Sequence, residues 1–257
     1  GSTQVGKILM KQCADTVKRM SMELGGNAPV IVFDDADLDK AVAGAAAAKY
    51  RNSGQTCVCA NRIMVQDTIY DAFVERFVKL VSKYRVGNGL DKRATHGPLV
   101  SKNAVDNIQR LVNDALEKGA LMPIGGHSNS DGECFYQPTV LTDVDRSMRV
   151  FREEIFGPVA PIFKFNTEEE AIGMANDTEY GLASYLYTRD IGRVWRISEG
   201  IEYGMVGVNE SAITTESIPF GGIKESGQGR EGSKYGLDDY VETKYICMGG
   251  IDDMKTI

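Results

Sequence analysis

The sequence predicts an α/β fold: a mostly parallel, open sheet with helices flanking it. Two observations predict it. Short apolar runs alternate along the chain with longer segments of helical periodicity, the rhythm of βαβ units. The run Ala28–Phe33 (APVIVF) has no polar alternate until Asp34 and Asp35 close it, as a strand buried on both faces requires.

The remaining elements follow in order. Asp37–Tyr50 is an alanine-rich helix whose small side chains let neighbours approach closely. Asn61–Gln66 (NRIMVQ) is a strand. Tyr70–Tyr84 places Phe73, Phe77, Leu80 and Tyr84 on one helical face. Asn103–Lys118 does the same with Val105, Ile108, Leu111, Val112 and Leu116; Gly119 ends it, and the strand-like LMPIGG follows. Val159–Phe165 is a strand. Thr167 and Glu170 form a capping box for a helix over Glu168–Asn176. Strand Ser184–Thr188, helix Arg193–Glu199 and strand Met205–Asn209 complete the alternation. Two glycine-rich stretches, Pro219–Gly232 and Gly249-Gly250, interrupt it. Between them Tyr240–Met248 (YVETKYICM) alternates like an antiparallel or edge strand, and Gly1–Gly26 resembles the tail of another domain.

Composition narrows the function. The 257 residues are 42% hydrophobic and 25% charged, enough for one large domain or two small ones. A net charge of −7 argues against a nucleic-acid partner, which draws on surplus Lys and Arg. No apolar run is long enough to span a bilayer and the N-terminus carries no signal pattern, so a soluble chain with no membrane partner is expected. Five irregularly spaced cysteines fit free thiols in a reducing, intracellular compartment. With no CxxC pair and only two histidines, no metal site is expected.

Two glycine motifs fail in context. Gly1–Lys7 fits GxxxxGK, but Ile8 stands where a triphosphate loop needs Ser or Thr. Gly227–Gly232 (GQGREG) fits GxGxxG without a preceding strand, so a tightly turned loop is the better account. Two other stretches carry chemistry. Gly54-Gln55-Thr56-Cys57 surrounds a thiol with small and polar residues just after a helix, which keeps it accessible and near amide dipoles that lower thiol pKa. A buried structural cysteine is the alternative. Met22-Glu23-Leu24-Gly25-Gly26 places a carboxylate among apolar neighbours, where desolvation raises its pKa toward neutrality; a surface or salt-bridged glutamate is the alternative.

The ordered series GSTxxGK, MELGG, GQTC, EEIFGPV and PFGGIKESGQGREG resembles the aldehyde dehydrogenase superfamily over essentially the whole chain. RNSGQTCVCANR, GMVGVNE, GREGSKYG and YVETKYIC resemble its succinate-semialdehyde dehydrogenases. That resemblance implies NAD- or NADP-dependent oxidation of a small aldehyde, with Cys57 as nucleophile and Glu23 as general base. The Cys57 backbone N–H joins the oxyanion hole. Glu154 matches the glutamate that binds the nicotinamide ribose and Phe156 the aromatic beside the ring. Gly1 and Ser2 match the pyrophosphate turn at a helix N-terminus. Arg51 resembles a substrate-carboxylate arginine, against the alternative of a helix-end cation. The loop 209–220 supplies Thr214 or Thr215 where relatives carry serine, and Phe220 beside the aldehyde.

Cys59, two residues past Cys57, is either a spare small hydrophobe or the partner in a disulfide that blocks the nucleophile under oxidation. The expected layout is a remnant of the dinucleotide-binding domain over residues 1–26, the catalytic domain over 27–227, and a return segment with an oligomerisation strand over 228–257. The resemblance implies a homodimer or homotetramer in the cytosol or mitochondrial matrix. Family members are considerably longer, so this chain alone is expected to be weakly active or inactive. A non-catalytic module that kept the fold is the competing function; an acylating relative that passes the thioester to coenzyme A is disfavoured by Glu23.

Overall fold

The computed structural model describes residues 1–128 and 132–250. The chain runs through α1 (Thr3–Ala14), β1 (Met22–Glu23), β2 (Ala28–Val32), α2 (Leu38–Tyr50), a 3-10 turn (Arg51–Gly54), β3 (Ala60–Gln66) and α3 (Asp67–Val81). It continues through α4 (Lys102–Glu117), β4 (Leu121–Ile124), β5 (Thr139–Thr142), α5 (Arg149–Arg152), β6 (Val159–Phe165), α6 (Glu168–Asn176), β7 (Tyr180–Gly181) and β8 (Ala183–Tyr187). It closes with α7 (Ile191–Gly200), β9 (Met205–Val208), β10 (Ile223–Lys224), β11 (Gly227–Gln228) and a second 3-10 turn (Lys234–Leu237). Seven strands form one sheet in the order β4-β5-β6-β3-β2-β8-β9. Every pairing in it is parallel except β4 with β5.

The apolar runs are explained by two cores, one on each face. Along β2, Ile31 and then Phe33 face a core built with α4, α6 and α7, while Ala28, Val30 and Val32 face one built with α2 and α3. On β3, Met64 belongs to the first, and Ile63 and Val65 to the second. A strand with two covered faces has no solvent side for a polar alternate, hence APVIVF. Phe73 and Phe77 of α3 are fully buried, each stabilising by roughly 2 kcal/mol through removal of apolar area from water. The expected cap forms with a shifted return bond: Thr167 accepts from the Glu170 N–H, but the Glu170 carboxylate accepts from the N–H of Asn166, one residue before the cap, rather than from that of Thr167.

Three sites of local geometry aim the chain at one region. Asn52, Ser53 and Gly54 are all left-handed, with φ of 50°, 56° and 77°, and drop the chain off α2 toward Cys57. A Cβ on Gly54 would sit 2.1 Å from the Gly157 carbonyl oxygen, so only glycine permits this approach. Asn27 and Asn61, both buried, then pin residues 151–155. Asn27 donates to the Phe151 carbonyl, and Asn61 donates to Asn27 and the Glu153 carbonyl while accepting from the Ile155 N–H. Gly227 of β11 passes so close to Met22 of β1 that a Cβ there would lie 1.9 Å from the Met22 oxygen. GQGREG is therefore a pairing ribbon, with Met22 opposite Gln228 and Glu23 opposite Gly227.

One expected strand has no partner among the described residues. Tyr240–Met248 makes no ladder with any of them, and Tyr240, Val241, Tyr245, Ile246 and Met248 are exposed. A strand requires a neighbour to accept its hydrogen bonds, and none of the described residues supplies one. The return segment's last residues, 251–257, lie outside those described.

Gly54→Ala should destabilise the protein by about 2 kcal/mol or more, since it combines left-handed strain with a backbone clash. Urea unfolding of the two proteins measures this; a loss below about 0.5 kcal/mol would contradict the packing described.

Candidate active site

Glu23, Cys57 and Glu154 lie in the segments that enter β2, β3 and β6, which are neighbours in the sheet. The site therefore sits at the amino ends of parallel strands. Open α/β sheets more often bind ligands at the carboxyl ends. The reversal follows from the α2–β3 connection, which carries the nucleophile candidate.

These residues meet at a cavity of about 720 Å³ lined by Gly1, Ser2, Glu23, Leu24, Gly25, Gln55, Thr56, Cys57, Glu154, Phe156, Phe220 and Glu231. Seven of the residues singled out in the sequence are in that wall: Gly1, Ser2, Glu23, Cys57, Glu154, Phe156 and Phe220.

Cys57 lies in a turn closed by the Cys59 N–H donating to the Thr56 carbonyl at 3.0 Å. The Tyr185 hydroxyl ties this turn to β8 by donating to the Val58 carbonyl at 2.7 Å. The thiol is half-buried, and burial raises its pKa, followed by the negative charges of Glu23 and Glu154; its own N–H acts in the opposite direction. This corrects the expectation that amide dipoles lower it. The apolar wall and two acids outweigh one amide, so the resting sulfur is a thiol that must lose a proton to react.

Glu23 is the group placed to take a proton. Its Oε2 is buried and has no hydrogen-bond partner among the described residues. Burial, then the charge of Glu231, raises the carboxyl to about 7, against the opposing charge of Arg230. A carboxyl that titrates near neutrality, with a free acceptor oxygen, suits proton transfer. Its folded value exceeds its unfolded one. Its protonated form thus favours the fold at low pH, and that contribution is lost as pH rises through about 7.

The dinucleotide-binding candidates line the same cavity. Glu154 accepts from the Gly26 N–H at 2.9 Å. A Cβ on Gly25 would come within 2.9 Å of its Oε2, so the bare backbone there leaves a shallow cradle. Ser2 caps α1, accepting from the Val5 N–H, so the positive end of the helix opens into the same cavity. Phe156 is 42% exposed and held at φ 50°, an aromatic face presented to the cavity rather than to the core. A helix N-terminus, an acceptor carboxylate and a flat ring fit a pyrophosphate, a ribose and a nicotinamide.

An aldehyde dehydrogenase family profile matches residues 1–246. The chain belongs to the aldehyde dehydrogenase family. It is 59% identical over 252 residues to a 3-sulfolactaldehyde dehydrogenase of Pseudomonas putida, covering 98% of this chain and 52% of that protein. It is also 59% identical to a mitochondrial succinate-semialdehyde dehydrogenase of Oryza sativa subsp. japonica, covering 98% of this chain and 48% of that one. A crystal structure of an NADP-dependent enzyme from E. coli superposes with a TM-score of 0.96 at 56% identity, covering 97% of this chain and 52% of that one. The chain spans about half the length of the curated relatives it matches.

Four residues singled out in this family member's sequence, Arg51, Thr214, Thr215 and Cys59, stand outside the cavity wall. Arg51 opens the 3-10 turn with an exposed side chain and makes no ion pair among the described residues; its charge reaches Tyr185, the residue that holds the nucleophile turn. Thr214 is half-buried in the 209–220 loop, and the exposed Thr215 is hydrogen-bonded to Ser217. Cys59 is buried, with its sulfur 2.8 Å from the Thr56 hydroxyl and 3.5 Å from the Arg51 carbonyl. All five cysteines are free thiols. A Cys57–Cys59 disulfide would have to replace both of those contacts.

Glu231 was not indicated by any motif reading. It enters the site because its backbone pairs with Phe220 in both directions, which carries its carboxylate toward Glu23. The described residues contain no cluster able to hold a metal, and none of their helices is long and apolar enough to cross a membrane.

Glu23→Gln removes the charge that, after burial, most raises the Cys57 thiol. Cys57 should then react with iodoacetamide at pH 8 about threefold faster or more, because a less perturbed thiol is more fully ionised at that pH. Mass spectrometry of the Cys57 peptide measures the rate, and a slower reaction would contradict the electrostatic role of Glu23.

Proposed function

We propose that this chain carries the site for oxidation of an aldehyde to a carboxylic acid through a thioester on Cys57, with NAD or NADP. The observation that carries the proposal is the unpartnered Glu23 carboxylate, near neutrality in the same cavity as the thiol. Glu23 takes the thiol proton, and the Cys57 sulfur bonds to the aldehyde carbon. The Cys57 N–H, near its own sulfur, donates to the oxyanion that forms. The dinucleotide, when bound, supplies the hydride acceptor. Gly1 and Ser2 receive its pyrophosphate, Glu154 its nicotinamide ribose and Phe156 the ring. With the hydride gone, the acyl group remains on Cys57. Glu23, having passed the first proton to solvent, then draws a proton from water, which adds to the acyl carbon; the acid leaves and the departing sulfur takes that proton back from Glu23 as thiol. Aldehyde, water and oxidised dinucleotide become acid, reduced dinucleotide and one proton.

The substrate class we propose is a short aldehyde with a distal anion, succinate semialdehyde foremost. Succinate semialdehyde ends in a carboxylate and 3-sulfolactaldehyde in a sulfonate, the substrates named for two close relatives. Arg51 is the cation for that anion, with Thr214 and Phe220 on the other side. Residues 1–26 are read as part of the dinucleotide-binding unit, 27–227 as the catalytic unit and 228–257 as the return segment. The family relationship supports a homodimer or homotetramer in cytosol or mitochondrial matrix.

An aldehyde panel with NAD and NADP, on the protein that carries this chain, tests the reading. Semialdehydes with a terminal anion should outperform uncharged aldehydes of equal length. Arg51→Met should raise KM for the anionic substrates about tenfold while leaving the uncharged ones unchanged. Glu23→Gln should cut turnover by about 10²- to 10⁴-fold and accumulate acyl-Cys57 by intact mass. Turnover that survives Cys57→Ala would overturn the proposal.

A further inference from the structure

Gln55 lines the cavity two residues before Cys57, yet its amide has no part in the chemistry above. Both of its donors are spent on backbone. Its Nε2 donates to the Asn52 carbonyl at 3.2 Å and to the Pro98 carbonyl at 3.4 Å, and its Oε1 accepts from the Val100 N–H at 2.8 Å. These partners fix which way the amide faces, since a carbonyl only accepts and a backbone N–H only donates. Neither the Pro98 carbonyl nor the Val100 N–H has another hydrogen-bond partner among the described residues.

The segment it grips is firmly anchored. Leu99 is buried in the core built with α4, its N–H donates to the Cys134 carbonyl at 2.8 Å, and Ser101 caps α4 by accepting from the Ala104 N–H. The turn that Gln55 holds starts from the left-handed Asn52 and Ser53, conformations that persist only where the surroundings impose them. Ser53 adds a second stitch to the same segment, its hydroxyl donating to the Gly97 carbonyl at 3.0 Å. Past Cys57, the Tyr185 hydroxyl holds the Val58 carbonyl. Beside it, the Cys57 carbonyl faces Gly26, where a Cβ would lie only 2.4 Å away. The Cys57 peptide is thus held from behind and from one side, and Gln55 is the hold ahead of it.

We propose that Gln55 is a positioning residue: its amide ties the nucleophile turn to residues 98–100 and so fixes where the Cys57 N–H and sulfur point. The proposal rests on the reading that Cys57 is the nucleophile. An oxyanion donor acts only if it meets the developing charge at hydrogen-bond distance, and a misplacement of about 1 Å can cost about a hundredfold in rate. An amide suits this place because one planar group supplies both the donors and the acceptor. A glutamate would keep the shape and the acceptor but set a second acceptor against two carbonyls.

Gln55→Glu and Gln55→Ala, in the protein that carries this chain, test it by hydrogen-exchange mass spectrometry and by steady-state kinetics on succinate semialdehyde with NAD and NADP. In both variants the peptides over 56–60 and 98–101 should exchange about tenfold faster or more, while those from β6 stay as they were. Because the aldehyde still enters but meets a misdirected thiol and N–H, kcat should fall about tenfold or more with KM within about threefold. Tyr70→Phe removes a different side chain–backbone bond, at the Ile162 carbonyl, and should leave kcat unchanged. Wild-type exchange or wild-type kcat in Gln55→Glu overturns the proposal, since a side chain that only fills space tolerates that change. A loss confined to KM, or an equal fall of kcat in Tyr70→Phe, also overturns it. If Gln55→Ala fails to fold, Gln55→Glu decides alone. Exchange requires no chemistry, so its failure counts against Gln55, whereas turnover that survives Cys57→Ala counts against the functional reading.

Discussion

The site depends on one constraint: a carboxylate oxygen of Glu23 is held out of water with no donor to accept from among the described residues. Such a group is unfavourable wherever it occurs. The backbone leaves it no alternative. Glu23 is locked opposite Gly227 in a two-stranded ribbon whose backbones approach too closely for any other residue at 227. Burial raises the proton affinity of the carboxyl, and Glu231, delivered by the Phe220–Glu231 bridge, raises it further. A base near neutrality and a thiol raised by that base's own charge then share one cavity, which puts a proton acceptor in the same pocket as the nucleophile.

The rest of the fold supplies rigidity. Two cores clamp the central strands from both sides, so the segments entering β2, β3 and β6 start from fixed points. Local strain does the aiming. Three left-handed residues precede the nucleophile turn, and Phe156 is held left-handed beside it. The buried Asn27–Asn61 pair holds the Glu154 segment through its backbone, leaving that side chain free to face the cavity.

Much of this was legible in the sequence, for physical reasons. Strands buried on both faces announce themselves as unbroken apolar runs, which is why Val159–Phe165 matches β6 at both ends. The capping chemistry of Thr167 and Glu170 is local, so it too reads directly. Thr139–Thr142 is a buried strand without such a run, because threonines at both ends fill its buried positions and Thr139 satisfies its hydroxyl on the Gln137 carbonyl. Tyr240–Met248 has the alternation of a strand and no ladder partner among the described residues, and periodicity does not report partners. At the site, Cys57 and Glu23 were marked by their unusual neighbours in sequence. The direction of the Cys57 shift was not, since it depends first on burial and then on the charges of Glu23 and Glu154, which only the fold brings to the thiol. Glu231 lies within GQGREG, but that motif does not show its place in the site, which comes from the backbone bridge to Phe220.

The most direct test is the protonation midpoint of Glu23, followed by isotope-edited infrared or carboxyl NMR with Glu23→Gln as the assignment control. The account predicts a midpoint near 7. A midpoint near the ordinary 4.5 would mean the carboxylate is hydrated or paired, and the proton acceptor for Cys57 would have to be sought elsewhere.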